Sequence, residues 1–190
     1  MIYLKKHYIY SEVEKLVKRF KTRDPFEILD CMNVVVYESD KFKQLKGFCF
    51  LSCQTIYVML SSFLSDEEKR VVAAHELGHI ILHKSQLKMA PMKDNALYVM
   101  QDPTEYEANL FAADLLLADE DLAEKTEYED LDYFGLCGSL NVPADLMSFK
   151  LFSLIKRGHV YNMPMEIRSN FLVLGSGGID HPESLRINHF

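Results

Sequence analysis

Residues 65–84, SDEEKRVVAAHELGHIILHK, constrain this chain more than any other stretch. Ser65 followed by Glu68 three positions on is a capping box, which satisfies two backbone donors at a helix start. Asp66 and Glu67 then sit at the positive end of the helix dipole. From there to about Lys84 only Gly78 opposes helix, at about 1 kcal/mol relative to Ala. The run is apolar on nearly every side, with Val71, Val72, Ala73, Ala74, Ile80, Ile81 and Leu82 flanking the polar groups. Such a helix is built for burial, yet it carries His75, Glu76, His79 and His83. Buried titratable groups are costly unless paired, so this helix needs a partner for them.

His75 and His79 are four apart and stand one above the other on one helix face. Glu76 adjoins them, rotated by about 100°. H-E-x-x-H on a helix suits a zinc ion held by two imidazoles. Zinc lowers the pKa of a bound water toward about 7, and a glutamate so placed can take its proton. The spacing therefore makes His75 and His79 metal ligands and Glu76 a general base.

A catalytic zinc wants a third protein ligand and one open position. His83 lies about 6 Å further along the axis than His79, and one straight helix cannot easily wrap three ligands around one ion. The metzincin spacing would need Gly at 82 and His at 85, where this chain has Leu82 and Ser85. His83 therefore reads as a packing or supporting residue. The better source is DPTEYEANLFAADLLLADEDL, a second helix with Asp102 as N-cap and Pro103 in its first turn. Glu105 leads the buried stripe of Ala108, Asn109, Ala112, Leu115 and Leu116. Glu107 is the rival ligand, but it shares a face with Leu110, Phe111 and Asp114; facing favours Glu105. Asn109 could hold the other nitrogen of a ligand histidine.

The remaining pattern is mixed. Residues 11–22 have helical spacing, DPFEILDCM opens a short helix, and NVVVYES, GFCFLSC and TIYVML alternate as strands with Ser-Cys-Gln as a turn. Residues 85–101 read as a loop. Two further helices follow, hinged near Asn141 and Pro143, and after about Tyr161 the pattern decays into a tail. The expectation is an α+β domain over 1–160, a small sheet packed with a mostly helical part, and a C-terminal tail over 161–190.

Composition excludes several classes. The chain has 190 residues, 48% of them hydrophobic, which suits one core. A net charge of −7 argues against direct nucleic-acid binding and against an anionic membrane surface. A helix-turn-helix over 131–157 would have only Lys150, Lys156 and Arg157 for phosphates in its second helix, so ordinary packing is the better expectation. Between Lys46 and Asp66 no residue is charged, but Gln54, Thr55 and four serines there do not suit a spanning helix. Cys31, Cys49, Cys53 and Cys137 lack finger spacing and are expected to be free, mostly buried thiols of a cytoplasmic protein.

HELGHIILH followed by EYEANLFAADLLL resembles the ImmA/IrrE family of bacterial metallopeptidases. The matching residues of the second motif are Glu105, Ala108, Asn109, Phe111, Ala112, Ala113, Leu115 and Leu116, and the resemblance covers about residues 10–160. One departure is Ala118, where that family often has proline. The resemblance implies a zincin, thermolysin-like arrangement with His75, His79 and Glu105 on Zn2+ and Glu76 as general base. It implies a cytoplasmic enzyme whose protein substrate is a helix-turn-helix repressor, in a phage, mobile-element or stress-response operon. The alternative is a zinc-stabilised regulator that acts on its partner by contact, without proteolysis. Tyr57, Tyr98, Tyr106, His159 and His181 are chemically able to stabilise an oxyanion, and spacing favours none of them.

Overall fold

The computed structural model describes residues 2–41, 45–87, 103–128 and 131–159. Helix α1 (Ile2–Phe20) runs further toward the N-terminus than the predicted 11–22, since no Pro or Gly interrupts it. It buries Ile9, Val13 and Leu16, spaced four and three apart. Asp24 caps α2 (Pro25–Cys31) by accepting from the backbone N–H groups of Phe26 and Glu27, with Pro25 in the first turn as predicted.

Three strands follow: β1 (Val35–Ser39), β2 (Gly47–Ser52) and β3 (Thr55–Ser61). Their order is β1-β3-β2, with β1 parallel and β2 antiparallel to the central β3. Cys53 and Gln54 both have positive φ, 47° and 67°, which is the backbone of a two-residue hairpin turn. Val58 and Leu60 are fully buried on one face of β3. On the other face Tyr57 stacks between Tyr37 and Phe50, at 6.4 and 5.1 Å between ring centres.

Helix α3 (Asp66–Leu82) lies against the buried face, and both hydrogen bonds of the Ser65–Glu68 capping box are made. The strand approaches it closely: a Cβ on Gly47 would lie 2.5 Å from Val72 Cγ1. Burying Val72, Leu77 and Ile80 stabilises the layer by about 1.5–3 kcal/mol for each side chain. The expected loop after Lys84 starts instead with a short helix, α4 (Lys84–Leu87). The rest of that loop and Asp102 lie outside the described residues.

Helix α5 (Pro103–Leu116) crosses α3 at Gly78, where a Cβ would sit 3.1 Å from Ala108 Cα. Gly78 therefore weakens the helix locally but allows the two site-bearing helices to touch. A separate helix, α6 (Asp119–Tyr128), then begins; the sequence reading ran α5 through its start. The two hinged helices are α7 (Tyr133–Ser139) and α8 (Ala144–Lys156), joined through Asn141 at φ 51°.

Among the described residues two apolar clusters result. The larger joins α1, α2, the sheet, α3, α5 and α8, and the smaller packs Leu122, Tyr133, Leu136, Met147, Leu151 and Leu154. A buried ion network stitches α5 to α8. Lys150 Nζ reaches Asp114 Oδ1 at 3.0 Å and Asp119 Oδ1 at 2.5 Å, Ser153 donates to Asp114 at 2.7 Å, and Arg157 donates to Asp119 at 2.5 and 2.9 Å. Lys150 is fully buried, so it is unavailable to a phosphate backbone. The chain is thus α+β as expected, mostly helical with one three-stranded sheet. No described helix is long and apolar enough to cross a membrane. All four cysteines are free; Cys137 is buried and Cys49 half-buried, but Cys31 and Cys53 are exposed, against the expectation of mostly buried thiols. The predicted tail over 161–190 lies outside the described residues.

Candidate metal centre

The site forms where α3 and α5 cross. The periodicity of α3 stacks His75 and His79, and the Gly78–Ala108 contact brings the first turn of α5 over them. His75 Nε2 lies 3.0 Å from His79 Nε2. Glu105 closes the triangle, with Oε2 at 3.2 Å from His75 Nε2 and Oε1 at 3.2 Å from His79 Nε2. A tetrahedral ion with bonds of about 2.0–2.1 Å has edges of about 3.3–3.4 Å between its donors. The nitrogen pair and each histidine's nearer carboxylate oxygen fall within a few tenths of an ångström of that edge; the two oxygens differ, and one donor atom from each residue lies within 4.8 Å of the others.

The proton arrangement fits a cation as well. His75 is 1% exposed, and its Nδ1–H donates to Asn109 Oδ1 at 2.7 Å. A neutral His75 therefore turns a lone pair, not a proton, toward His79 and Glu105. Asn109 supports the histidine as the spacing of α5 predicts. Two nitrogens and a carboxylate brought together at about 3 Å make a donor set for a borderline divalent ion. Among the described residues, His75, His79 and Glu105 form a group able to hold a metal.

Glu107 is not brought to that group. Its Oε2 lies 3.1 Å from His83 Nε2, and His83 Nδ1 lies 3.2 Å from His79 Nδ1. Facing along α5 thus separates the two glutamates.

Glu76 is 3% exposed, on the side of α3 that meets β2. Burial raises its carboxyl pKa from 4.5 to about 7, while His79 and Cys49 pull the other way. Burial would also raise Glu105, but His75 and His79, where they carry a proton on Nε2, hydrogen-bond that carboxyl and hold it well below the usual range; with their lone pairs turned inward, a cation would supply the same attraction. The environment therefore pushes the two carboxyls in opposite directions, Glu105 down and Glu76 up. Cys49 was not singled out for this site by the sequence. Its thiol donates to the Glu76 backbone carbonyl at 3.8 Å, and burial pushes its pKa well up, so it is a weak donor and not a nucleophile. The alternation of β2, which sends Gly47, Cys49 and Leu51 toward α3, is the signal that could have found it.

Of the candidate oxyanion groups, Tyr57 stacks on the far face of the sheet, and Tyr106 packs edge-on against Phe149 and Phe152. His159 follows the last turn of α8, and Tyr98 and His181 lie outside the described residues.

Residues 30–151 match the profile of peptidase family M78, the IrrE N-terminal-like domain. The chain belongs to the ImmA/IrrE family of metallopeptidases. An immunity region protein 2, uncharacterised, from Bacillus phage phi105 is 33% identical over 150 residues, 78% of this chain and 92% of that protein. Metallopeptidase ImmA of Bacillus subtilis strain 168 is 28% identical over 144 residues, 75% of this chain and 83% of its own length. A solved Mycobacterium tuberculosis transcriptional regulator superposes with a TM-score of 0.58 at 15% identity, a likeness in fold. That match covers 78% of this chain and about half, 47%, of that one. Membership in a metallopeptidase family implies a metal, and the three-donor group supplies a place for one.

Proposed function

We propose that this protein is a cytoplasmic zinc endopeptidase with a zincin, thermolysin-like site, and that its substrate is a helix-turn-helix repressor. The observation that carries the reading is the convergence of His75 Nε2 and His79 Nε2, 3.0 Å apart, on the Glu105 carboxylate, whose two oxygens each lie 3.2 Å from one of them, beside a buried Glu76. In this reading residues 1–160 are the peptidase domain and 161–190 a separate tail. A relative named metallopeptidase and another named for a phage immunity region are in keeping with a peptidase that relieves repression in a phage, mobile-element or stress-response operon.

His75, His79 and Glu105 would hold the zinc. Bound there, the ion supplies Lewis acidity, polarising a carbonyl and making water easier to deprotonate. Glu76 accepts the proton from the attacking water and delivers it to the departing amide nitrogen. In the metal-free protein burial lifts its pKa to about 7, toward the range in which a group can take and release a proton near neutral pH. Burial of Glu76 excludes competing water, and the Cys49 contact fixes its backbone against β2. Among the described residues strand β2 is an edge strand, and it lies on the Glu76 side of α3. A peptide added along that edge would run past the site with its main chain hydrogen-bonded, and its side chains would face alternate sides.

The test is co-expression with a neighbouring helix-turn-helix protein. Wild type should cleave it, and Glu76→Gln should keep its zinc and lose cleavage. If Glu76→Gln cleaves normally, the mechanism is wrong. If it cannot cleave yet still relieves repression fully, the protein acts by contact alone.

A further inference from the structure

We infer that Glu107 and His83 act as a positioning chain for His79, fixing the tautomer that turns its Nε2 lone pair toward the metal. The inference rests on the reading of His79 as a ligand, and it assigns work to two residues that this reading leaves idle. His83 is 7% exposed and stands at the C-cap of α3, with φ −122° and ψ 27°. Leaving the helical conformation there lets its ring turn back along the helix. Nδ1 comes to 3.2 Å from His79 Nδ1, and the ring centres are 5.4 Å apart. The other nitrogen, Nε2, meets Glu107 Oε2 at 3.1 Å, across from α5.

Hydrogen-bond chemistry sets the direction of this chain. An ionised carboxylate only accepts, so His83 must carry its proton on Nε2. The Nδ1 of a neutral His83 is then a lone pair and must accept. His79 must in turn donate from Nδ1, which leaves its Nε2 unprotonated. That nitrogen is the one 3.0 Å from His75 Nε2 and 3.2 Å from Glu105. Without the chain, a neutral His79 could carry its proton on either nitrogen, and one choice blocks the metal.

The two ligand histidines are thus supported differently. His75 is held by a neutral amide in one step, through Asn109. His79 is held by a carboxylate in two steps, through His83. A carboxylate at the end of such a chain makes the imidazole a better donor to the ion. Glu107, the weaker candidate for a ligand on facing, thereby acts on the metal from one residue further out.

The test measures zinc affinity directly, by competition with a chromophoric chelator, with cleavage left aside. His83→Phe keeps an aromatic ring of similar size and removes both nitrogens; zinc should bind about 10–100-fold more weakly. His83→Gln, whose amide oxygen can accept from His79, should recover part of that loss. Glu107→Gln alone should weaken binding several-fold, and added to His83→Phe it should change nothing further, because the chain is already cut. Ring-nitrogen NMR should show the His79 proton on Nδ1 in wild type and no longer confined there in His83→Phe. Binding by His83→Phe within twofold of wild type, or losses that multiply in the double variant, would overturn the chain. His79→Ala separates the two claims: if it loses zinc while His83→Phe keeps it, only the chain fails. If His79→Ala binds zinc like wild type, the centre itself is misassigned and the chain falls with it.

Discussion

Replacing Glu76 by glutamine should stabilise the metal-free protein while removing its activity. The carboxyl is 3% exposed, and its pKa rises from 4.5 to about 7, first because of burial. A raised acid pKa means that folding favours the protonated form. The stability given by that form is fully present below about pH 4.5 and is lost as pH rises through about 7. Two and a half pKa units (7 − 4.5) at about 1.36 kcal/mol each amount to about 3 kcal/mol above pH 7. Glutamine resembles the neutral acid in shape and carries no charge, so it avoids that cost. Urea unfolding in the presence of a strong chelator, from pH 4.5 to 8, reads the effect. Glu76→Gln should be more stable than wild type by up to about 3 kcal/mol at pH 8, with the gap closing toward pH 4.5. A variant less stable than wild type at pH 8, or a gap that does not move with pH, would refute the reasoning.

Gly78→Ala should destabilise by about 1 kcal/mol or more in thermal unfolding, even though Ala is the better helix former. Its Cβ would meet Ala108 Cα at 3.1 Å and Ala108 O at 3.2 Å, and backbone cannot step aside as a side chain can. Zinc affinity should fall with it, since α5 carries Glu105 and must shift. Asp114→Ala should cost about 3 kcal/mol, measured by urea unfolding, because it removes one partner of the fully buried Lys150. Acid should loosen the same network. Burial raises Asp119, but hydrogen bonds from Arg157 and Lys150 outweigh it, so its carboxyl lies below the usual range. The stability this gives is present above about pH 4 and lost as pH falls toward the folded value. Stability of Asp119→Asn should therefore depend less on pH below 4 than that of wild type.

Local rules made much of this molecule legible. The cap at Ser65, the four-residue spacing of His75 and His79, and the Asp24-Pro25 helix start depend on neighbours a few positions away. The strands alternated clearly enough to be found, and the hairpin turn fell at Cys53 and Gln54. Glu105 could be favoured over Glu107 because a helix face is a matter of counting. What escaped depends on distance in space. The Lys150–Asp114–Asp119–Arg157 network joins residues more than 30 positions apart, and nothing local marks Lys150 as buried. The break between α5 and α6 falls at Leu117 and Ala118, where neither residue is a breaker. The His83–Glu107 pairing requires a C-cap conformation and an interhelical crossing, and neither is written in the spacing of the motif.

The most direct measurement of the central claim is a crystal of zinc-loaded protein with anomalous data collected across the zinc edge. A single peak should lie about 2.0–2.2 Å from His75 Nε2, His79 Nε2 and a Glu105 carboxylate oxygen, with Glu76 beside it and not bound to it. A peak on other residues, or one in which Glu107 replaces Glu105, would contradict the assignment.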